Sequence, residues 1–360
     1  MVDRGFGLEV EGQYGDTTIT KSEFDPDFWN HAEEVDFKLN DEPITKSGSS
    51  RMNKRVRAGV MKPTGSTTAD ADLQQLAWYF RGYLDNYVCT EGDTPATGHT
   101  QTYIHEYYGG EGKELTSFRG IAVYDMLKKY LYGLLMDGMS LEVSDEGMTV
   151  GADWIYKTEK AGIIGQNGET FTAPDELTAE QIFIMFYDVT LFLGLDTNQQ
   201  PKLLDGVSTA FSFNGSNNHD VDHTIGLGNR YPQKRAVAGK RENELSITTT
   251  LTSDTVRSIL DAQYGEVGAL EPSSCKLLQI PLQIEISHCE DSDIGCTILF
   301  PKCTVNVEYS MSGVDAVEVT MTLATLGSET VTLLDETTEV ETDMYVKLTN
   351  YQEEIITKDE

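Results

Sequence analysis

The chain has few basic residues, few cysteines and no long apolar run. Its 360 residues include 27 Lys and Arg against 59 Asp and Glu, which gives a formal net charge of −32. A surface of that sign repels polyanions, so the composition argues against a general DNA- or RNA-binding protein. No stretch approaches the roughly 18 to 20 apolar residues of a membrane span, and the first residues lack the apolar core of a secretory signal. We therefore expect a protein that is made and used in solution, with no membrane partner.

The five cysteines include no CxxC pair. Their odd number fits a reducing compartment better than a disulfide framework. Cys289, Cys296 and Cys303 are evenly spaced by seven, whereas thiols that bind zinc usually come in close pairs. We interpret them as small buried hydrophobic residues rather than as a metal site.

Apolar residues are plentiful enough for folded domains. Hydrophobic residues make up 39% of the chain and aromatic residues 9%, which excludes wholesale disorder. At roughly 150 residues per domain, the length predicts about two domains.

An internal repeat organises the sequence. Residues 35–40 resemble residues 209–214, which lie 174 positions later, and both have the alternating apolar pattern of a half-buried strand. In both halves a polar stretch, a basic window and an Ala-Gly pair follow (Ala58-Gly59 and Ala238-Gly239). A Ser/Thr cluster then precedes a helical pattern, as expected where side-chain oxygens cap a helix.

The helical patterns and the later strands continue the same order. Two apolar stripes at helical spacing predict one helix in each half: Leu73, Leu76, Ala77, Phe80 and Leu84, and then Val256, Ile259, Leu260 and Tyr264. Two later sets also correspond: Met139, Leu141 and Val143 with Cys303, Val305 and Val307, and Trp154, Tyr156 and Gly162 with Val319, Met321 and Gly327. The first half is about nineteen residues longer between these features, and we assign the excess to a loop over residues 90–113.

These patterns predict a mainly β protein, a β-sandwich or partial barrel with a flanking helix, in two tandem copies of one module. We place the first module at residues 1–165, the second at 175–345 and an acidic C-terminal tail at 346–360, with a Gly-rich linker over 163–174. Residues 121–136 are ambiguous, because their apolar residues have helical spacing while the repeat partner resembles a strand. We favour a strand from about Lys129.

Basic residues are concentrated in two short windows. Ten of the 27 lie at corresponding places in the two halves: Arg51, Lys54, Arg55, Arg57 and Lys62, and Arg230, Lys234, Arg235, Lys240 and Arg241. A single run of this kind is usually a solvated loop. Two equivalent runs in an acidic chain favour self-complementarity, in which the basic arm of one copy docks on the acidic face of the next. Head-to-tail contacts of that kind build rings or filaments, so we predict a polymer with these ten residues at its subunit interfaces.

Motifs of catalysis or cofactor binding are missing. The sequence contains no GxSxG, HExxH or phosphate-loop motif, and its isolated Gly-x-Gly pairs do not precede helices. His219 and His223, separated by Asp220-Val221-Asp222, are candidate metal ligands, but no third ligand motif lies nearby and a mobile loop is the simpler interpretation. We predict a protein that is not an enzyme and that has no catalytic residue, cofactor or metal.

The chain resembles the tail tube proteins of tailed bacterial and archaeal viruses. The resemblance rests on Gly5-Phe6-Gly7-Leu8-Glu9, on Ala58-Gly59 followed by Gly65-Ser66-Thr67-Thr68-Ala69-Asp70, and on Val319-Thr320-Met321-Thr322-Leu323 with Leu326-Gly327-Ser328. It implies sandwich modules whose inner sheets join into a β-barrel around a channel, with stacked rings forming a tube through which DNA passes. The arm-like loop of that family corresponds to residues 41–62 and 215–241, while lumen-lining residues are not assigned.

For a chain with two modules, the resemblance implies homotrimeric rings with pseudo-sixfold symmetry, and hexameric rings are the alternative. It further implies a structural protein of the virion tail, assembled in the host cytoplasm, with other tail proteins at the tube ends and transient passage of DNA. Two other functions stay open. The same fold serves as the inner tube of a contractile tail or injection device, and a monomeric two-domain adhesin or carbohydrate-binding protein would explain the tyrosines of residues 103–108.

Overall fold

The computed structural model of the chain describes most of its length. The described residues are 5–17, 26–30, 32, 34–40, 44–46, 55–95, 101–166, 182–195, 200–204, 208–250, 253–264, 268, 271, 278–289, 291–310 and 318–355. Within these ranges the chain is mainly β, as predicted, and contains the two helices α1 (Leu76–Tyr83) and α2 (Ser253–Tyr264).

Among the described residues, twenty-two strands make up the rest of the regular structure, apart from short 3₁₀ turns. They are β1 (Gly5–Val10), β2 (Phe28–Asn30), β3 (Glu34–Lys38), β4 (Ile44–Lys46), β5 (Arg55–Arg57), β6 (Thr64–Asp70), β7 (Asn86–Glu91), β8 (Tyr103–Tyr108), β9 (Phe118–Tyr124), β10 (Leu127–Ser144), β11 (Gly147–Ile155), β12 (Thr158–Ile163), β13 (Val189–Leu195), β14 (Pro201–Leu203), β15 (Ser208–Ser216), β16 (Glu242–Thr250), β17 (Ile280–Ser287), β18 (Gly295–Ser310), β19 (Glu318–Thr325), β20 (Glu329–Thr332), β21 (Glu339–Thr342) and β22 (Tyr345–Asn350).

Eight antiparallel strands form a central sheet in the order β3-β6-β11-β10-β15-β16-β19-β18. The two halves of the chain meet where β10 pairs with β15, from Gly138 opposite Ser216 to Val143 opposite Phe211. At the two ends of this sheet, β3 and the second half of β18 each pair with one central strand among the described residues. Both edges therefore keep backbone groups available for a further strand.

The two longest strands leave the central sheet and enter outer sheets. The first half of β10 lies between β9 and β12, and this outer sheet continues through β1 to β2. The first half of β18 lies between β17 and β22, with β13 and β14 beyond β17 and with β8 and β7 beyond β22. Each strand has a register shift at the bend, and in β10 the shift contains Gly133 with a φ of 68°. A bulge with a left-handed glycine turns a strand in this way.

The core lies between the central sheet and the outer sheets. The ring of Phe6 in β1 packs on Trp154 of the central sheet at a centroid distance of 5.6 Å, and Phe213 packs on Phe300 at the same distance. Gly65 is required beneath Phe37, because a Cβ at that position would lie 2.1 Å from the Phe37 ring. All five residues of the predicted α1 stripe are buried (Leu73, Leu76, Ala77, Phe80 and Leu84). Both predicted helices are confirmed.

The ambiguous region proves to be strand. Residues 118–124 and 127–144 form β9 and β10, so the preference for strand over helix is confirmed. Side chains on both faces of β10 are buried over much of its length, because the strand lies between layers. Apolar residues on both faces imitate the spacing of a helix, which explains the ambiguity of the sequence.

Two sequence-based boundaries fall inside regular structure. Residues 90–113, interpreted as a loop, include β8, which pairs with β7 on one side and β22 on the other. The predicted tail at 346–360 begins within β22, whose residues pair with β18 as well as with β8. The predicted linker at 163–174 lies outside the described residues beyond position 166.

Candidate functional site

One face of the central sheet is polar along its whole width. Side chains that alternate with the core residues are mostly Ser, Thr and Asn, with eight carboxylates: Glu34, Asp36, Asp70, Glu142, Asp153, Glu242, Glu244 and Glu308. On the described strands of this face the only cation is Lys38, which pairs with Asp36. We call this surface the polar wall.

The polar wall runs continuously from strand to strand. Asp70 pairs with Thr149, Thr149 with Glu142, and Glu142 with Ser212 across the joint between the two halves of the chain. Seven of the eight acidic residues are exposed and Asp36 is half-buried, so their negative charges face solvent. Such a surface repels a polyanion through its carboxylates. Its other side chains are mainly neutral hydroxyl and amide groups, and its one cation on the described strands, Lys38, is paired with Asp36.

The two basic windows lie in long connections at one end of the central sheet. The first arm (residues 41–62) joins β3 to β6, and the second arm (residues 215–241) joins β15 to β16. In the first arm β4 pairs with β5, with Arg57 opposite Ile44. In the second arm a single bridge joins Val237 to Asp220.

The second arm docks on the first half of the same chain. Its Ala236 is 3% exposed and packs in a cluster with Leu135 and Ile155, and Val221 of the same arm and Tyr14 lie against this cluster. These apolar contacts bury the base of the arm against the bend of β10 and the end of β11.

Polar contacts hold the tip of the second arm against the end of the first arm. Arg230 donates from Nε to the carbonyl oxygen of Gly59 at 2.9 Å, and its own carbonyl oxygen accepts the Met61 N–H at 2.8 Å. The Lys62 ammonium forms an ion pair with Asp222. The two arms of one chain are thus side by side.

His219 fixes the start of the second arm to Asp137, which lies at a register shift between β10 and β11. Its ring Nδ1 lies 3.0 Å from Asp137 Oδ1, and its backbone N–H donates to the same oxygen at 2.8 Å. Burial would raise the pKa of Asp137, but the hydrogen bonds and charge of His219 hold it below the usual value. His223 is exposed and contacts Asp220 at 2.5 Å. Among the described residues, no cluster of three or more His, Cys, Asp or Glu side chains could hold a metal ion.

Arg241, at the base of the second arm, is largely buried. Its guanidinium donates to Asp85 and to Asp343, each at 2.9 Å, and only 9% of its side chain is exposed. Burial would lower the pKa of Arg241, but the nearby negative charges of Asp343 and Asp85 raise it above the usual value. Arg235 is half-buried, and burial lowers its pKa despite the opposing charge of Glu114.

The ten predicted interface residues therefore divide into groups. Arg51 and Lys54 lie outside the described residues, and Arg55 lies in β5. Arg57, Lys234 and Lys240 are exposed, whereas Lys62, Arg230 and Arg241 make the contacts within the chain given above. Their contact with a second copy stays a prediction.

The repeat comparison matched the Ala-Gly pairs of these arms but missed the longer match to which they belong. Lys54-Arg55-Val56-Arg57-Ala58-Gly59 aligns with Lys234-Arg235-Ala236-Val237-Ala238-Gly239, and four of the six residues are identical. Arg57 and Val237 also occupy the same place in the strand pairings of the two arms. An alignment of the arms alone would have found this segment.

An open cleft lies beside the base of the second arm. Its volume is ≈ 960 Å³, and it is lined by residues 109–113, 238–241, 325–328 and 341–343. Of the tyrosines at residues 103–108, Tyr107 is fully buried in β8 and stacks on Tyr87 at 5.0 Å, so its ring is not available to a ligand.

A broad antiparallel sheet with open edges, a polar acidic face and arms at one end defines a protein that builds larger assemblies. The chain belongs to the phage tail tube protein family, which it matches over residues 30–273. It is therefore a structural component of the virion tail that self-assembles, and not an enzyme. A comparison with curated proteins found no match. No helix among the described ranges is long and apolar enough to cross a membrane.

Proposed function

We propose that three copies of this chain close into a ring through their central sheets, and that rings stack into a tube through which viral DNA passes. The observation that carries the proposal is the joint between β10 and β15, together with the open edges of β3 and β18. If the chain is two copies of one module, the pairing that joins its halves is repeated between chains. Closing a sheet in this way removes its edges.

The pattern of strand pairing supports the duplication. Eight strands of the first half have counterparts in the second that pair in the same way within their own half: β1 and β13, β2 and β14, β3 and β15, β6 and β16, β9 and β17, β10 and β18, β11 and β19, and β12 and β22. Two further pairings, of β15 with β10 and of β22 with β8, join the halves. In both halves the helix follows the second of the four strands that the half contributes to the central sheet, β6 or β16. At its bend each long strand advances by three residues while its neighbour, β9 or β17, advances by two. The bends of β10 and β18 therefore also correspond.

The pairings refine the alignment of the two halves. They match Phe37 with Phe213, 176 positions apart, where the sequence comparison matched Phe37 with Phe211. In the same alignment Leu141 corresponds to Tyr309, whereas the sequence comparison matched it with Val305. The segments Lys54–Gly59 and Lys234–Gly239 then align without a gap at 180 positions, the same spacing as β6 and β16.

Ring closure follows from this alignment. The C-terminal half of β18 in one copy pairs with β3 of the next, as β10 pairs with β15 inside the chain, and this places Glu308 opposite Lys38. Three chains supply roughly 24 strands to a single barrel. Opposite charges facing each other across a strand pair favour this register.

The polar wall faces the channel in this arrangement. The opposite face of the central sheet is covered by the core, so the polar wall is the face left for the lumen. DNA has one negative charge per roughly 1.7 Å of its axis, and a wall of hydroxyls and carboxylates gives it nothing to bind. Rings assemble in the host cytoplasm, and other tail proteins cap the two ends of the tube.

The experiment is a disulfide across the proposed joint. We introduce Lys38→Cys and Glu308→Cys together, in a chain whose exposed Cys289 is replaced by serine, and oxidise the assembled protein. We expect covalent dimers and trimers on a denaturing gel, ending at three chains, because directly opposite Cβ atoms lie about 4.5 to 5.5 Å apart. Each single-cysteine variant is the control. A ladder that continues to six chains, or no ladder from assembled rods, would contradict the trimeric ring.

Electron microscopy of the unmodified protein supplies the second measurement. We expect hollow rods with three chains per ring and pseudo-sixfold density. The same ring would serve in a contractile tail, and a sheath around tails isolated from virions distinguishes that role from a non-contractile tube.

A further inference from the structure

The open edge of β3 is bound by side chains from β9 and the first half of β10. The Phe37 N–H donates to the Tyr124 hydroxyl at 3.1 Å, and the Phe37 carbonyl oxygen accepts the Lys129 ammonium at 2.7 Å. We propose that Tyr124, Lys129 and Glu159 cap this edge in the unassembled chain and must be displaced before β18 of another copy pairs there. We call these three residues the edge cap. The inference rests on the proposed ring, and it adds a control on ring closure.

The two bound groups of Phe37 point away from the rest of the central sheet. In an antiparallel strand, the N–H and the C=O of one residue face the same neighbouring strand. Tyr124 ends β9 and Lys129 lies near the start of β10, whereas β3 pairs with β6. Phe37 therefore presents both groups on the side that the ring assigns to β18 of the next copy.

The edge cap and the next copy compete for the same backbone groups. The alignment of the two halves matches Phe37 with Phe213, which lies opposite Leu141 in the joint within the chain. In the ring, Phe37 lies opposite Tyr309 in the same way. A backbone N–H has a single proton, so the bond to Tyr124 excludes a full bond to the neighbouring strand. The ammonium on the carbonyl oxygen likewise takes the place of a backbone donor.

Glu159 holds the lysine of the edge cap in position. Its carboxylate lies 3.3 Å from the Lys129 ammonium and accepts the Tyr156 hydroxyl at 2.7 Å. The side chains of Lys129 and Glu159 are only 16% and 12% exposed. Burial and the ion pair restrict the lysine to one geometry, in which its ammonium reaches the backbone of Phe37.

The corresponding positions in the second half carry apolar side chains. The strand pairings match the edge cap with three residues that are at most 1% exposed: Tyr124 with Ile286, Lys129 with Ile298, and Glu159 with Met344 just before β22. There the corresponding strand, β15, already lies between β10 and β16 and has no open edge. Polar side chains thus stand where the strand is open, and apolar ones where it is paired within the chain.

A cap on one edge is enough to hold free chains apart. The proposed joint is heterologous, because β3 of one copy meets β18 of another. Exposed strand edges lead to aggregation, and natural sheets protect them with charged side chains, lysine above all. The edge cap lets free chains accumulate without pairing, and the contacts of the closing ring offset its displacement.

Removal of one hydroxyl group tests the edge cap. Tyr124→Phe keeps the aromatic ring and frees the Phe37 N–H, so the lowest concentration at which rods form should fall by about fivefold, the equilibrium factor of one ordinary hydrogen bond. Sedimentation measures that concentration. The control is Tyr351→Phe, which removes a hydroxyl bonded to Asp291 rather than to β3 and should leave the threshold unchanged. A threshold of Tyr124→Phe that is unchanged or higher would overturn the proposal.

Hydrogen exchange reports on the bound atom itself. In the unassembled native chain the Phe37 amide should exchange slowly although β3 is an edge strand, and Tyr124→Phe should make this exchange several-fold faster. In assembled rods the amide should be protected in both chains, because β18 of the next copy then binds it. Equal exchange in the two unassembled chains would show that the hydroxyl does not hold this group.

A second variant guards the test against a folding defect. Lys129→Ile with Glu159→Met installs the residues of the second half and removes both charges together, so that no buried carboxylate loses its cation. It frees the Phe37 carbonyl oxygen, and we expect the assembly threshold to fall as in Tyr124→Phe. Both variants are assayed below their melting temperatures. If both are folded and neither lowers the threshold, the contacts are only structural and the edge cap is wrong.

The outcomes distinguish the edge cap from the proposed ring. If the Lys38/Glu308 disulfide closes three chains while neither variant lowers the threshold, the ring stands and the edge cap is wrong. If the native chain and both variants stay monomeric at high concentration, the ring proposal falls and the edge cap falls with it.

Discussion

Arg241 and Asp85 form an ion pair at 2.9 Å between the second arm and the end of α1, far apart in sequence and almost completely buried. Asp85 also accepts the N–H groups of Gly110 and Gly112, and the second guanidinium nitrogen of Arg241 binds Asp343. One arginine thus connects the loop after α1, the base of the second arm and the start of β22. Arg241 belongs to a basic window of the sequence, but in the folded chain it is buried and holds these three segments together.

Replacing this arginine should destabilise the chain itself. Arg241→Ala leaves the buried Asp85 carboxylate and its neighbour Asp343 without their cation, and we expect a loss of about 3 to 5 kcal/mol in the free energy of unfolding. Urea denaturation of the unassembled chain measures it. Lys234→Ala, at an exposed position of the same arm, is the control and should change stability by less than about 0.5 kcal/mol. An equal loss of unfolding free energy in the two variants would show that Arg241 does not hold these segments together.

Two phenylalanines test the packing of the central sheet. Phe37 and Phe211 are each 3% exposed, one in β3 and one in β15. Phe37→Ala and Phe211→Ala should each cost about 3 to 5 kcal/mol of unfolding free energy. Ser212→Ala, on the opposite face of β15, provides the comparison and should have little effect. A small loss at either phenylalanine would show that its strand is not part of the core.

Glu11 makes stability depend on pH. It is buried, and it accepts the N–H groups of Gly15 and Gly133, the latter in the bend of β10. Burial raises the pKa of Glu11 from 4.5 to about 7. A carboxyl with a raised folded pKa contributes its stabilisation below the unfolded pKa and loses it as the pH rises through the folded one.

We therefore expect this group to lower the free energy of unfolding by up to about 3 kcal/mol between pH 4.5 and pH 7. The measurement compares the native chain with Glu11→Gln by urea denaturation at several pH values. Glutamine does not titrate, so the stability difference between the two chains should shift in favour of the variant as the pH rises. A difference independent of pH would exclude the raised pKa.

The polar wall predicts that assembled tubes do not retain DNA. Glu142→Lys together with Glu244→Lys places cations on that face of the central sheet. Tubes of the double variant should retain short duplex DNA in a co-sedimentation assay at low salt and release it at high salt. Glu329→Lys in β20, away from the central sheet, is the control. Equal retention by the control would mean that the DNA binds outside the channel.

Much of this architecture can be predicted from local patterns. Alternation gave the strands around Phe37 and Phe211, and spacing of three and four residues gave both helices, because each pattern reflects one element with one buried face. The tandem comparison aligned several strands two or four positions away from the pairing seen in the sheet. A strand repeats every two residues, so shifts by even numbers keep the buried face and leave no trace in the sequence pattern.

The basic windows show where the sequence is insufficient. Their composition indicates an interaction, but Arg57 is exposed, Arg230 touches the first arm and Arg241 is buried between two carboxylates. Charge alone does not indicate which partner a side chain reaches, because the partner comes from a distant part of the chain.

By itself, the sequence determined that the chain is acidic and rich in strands, where its helices lie, and that its residues resemble those of tail tube proteins, since these depend on composition and on neighbours along the chain. The tertiary structure decided which strands meet, which face of the sheet is polar across its full width and where the second arm docks. Those features arise from contacts between residues distant in sequence, and burial and hydrogen bonding select them only when the chain has folded.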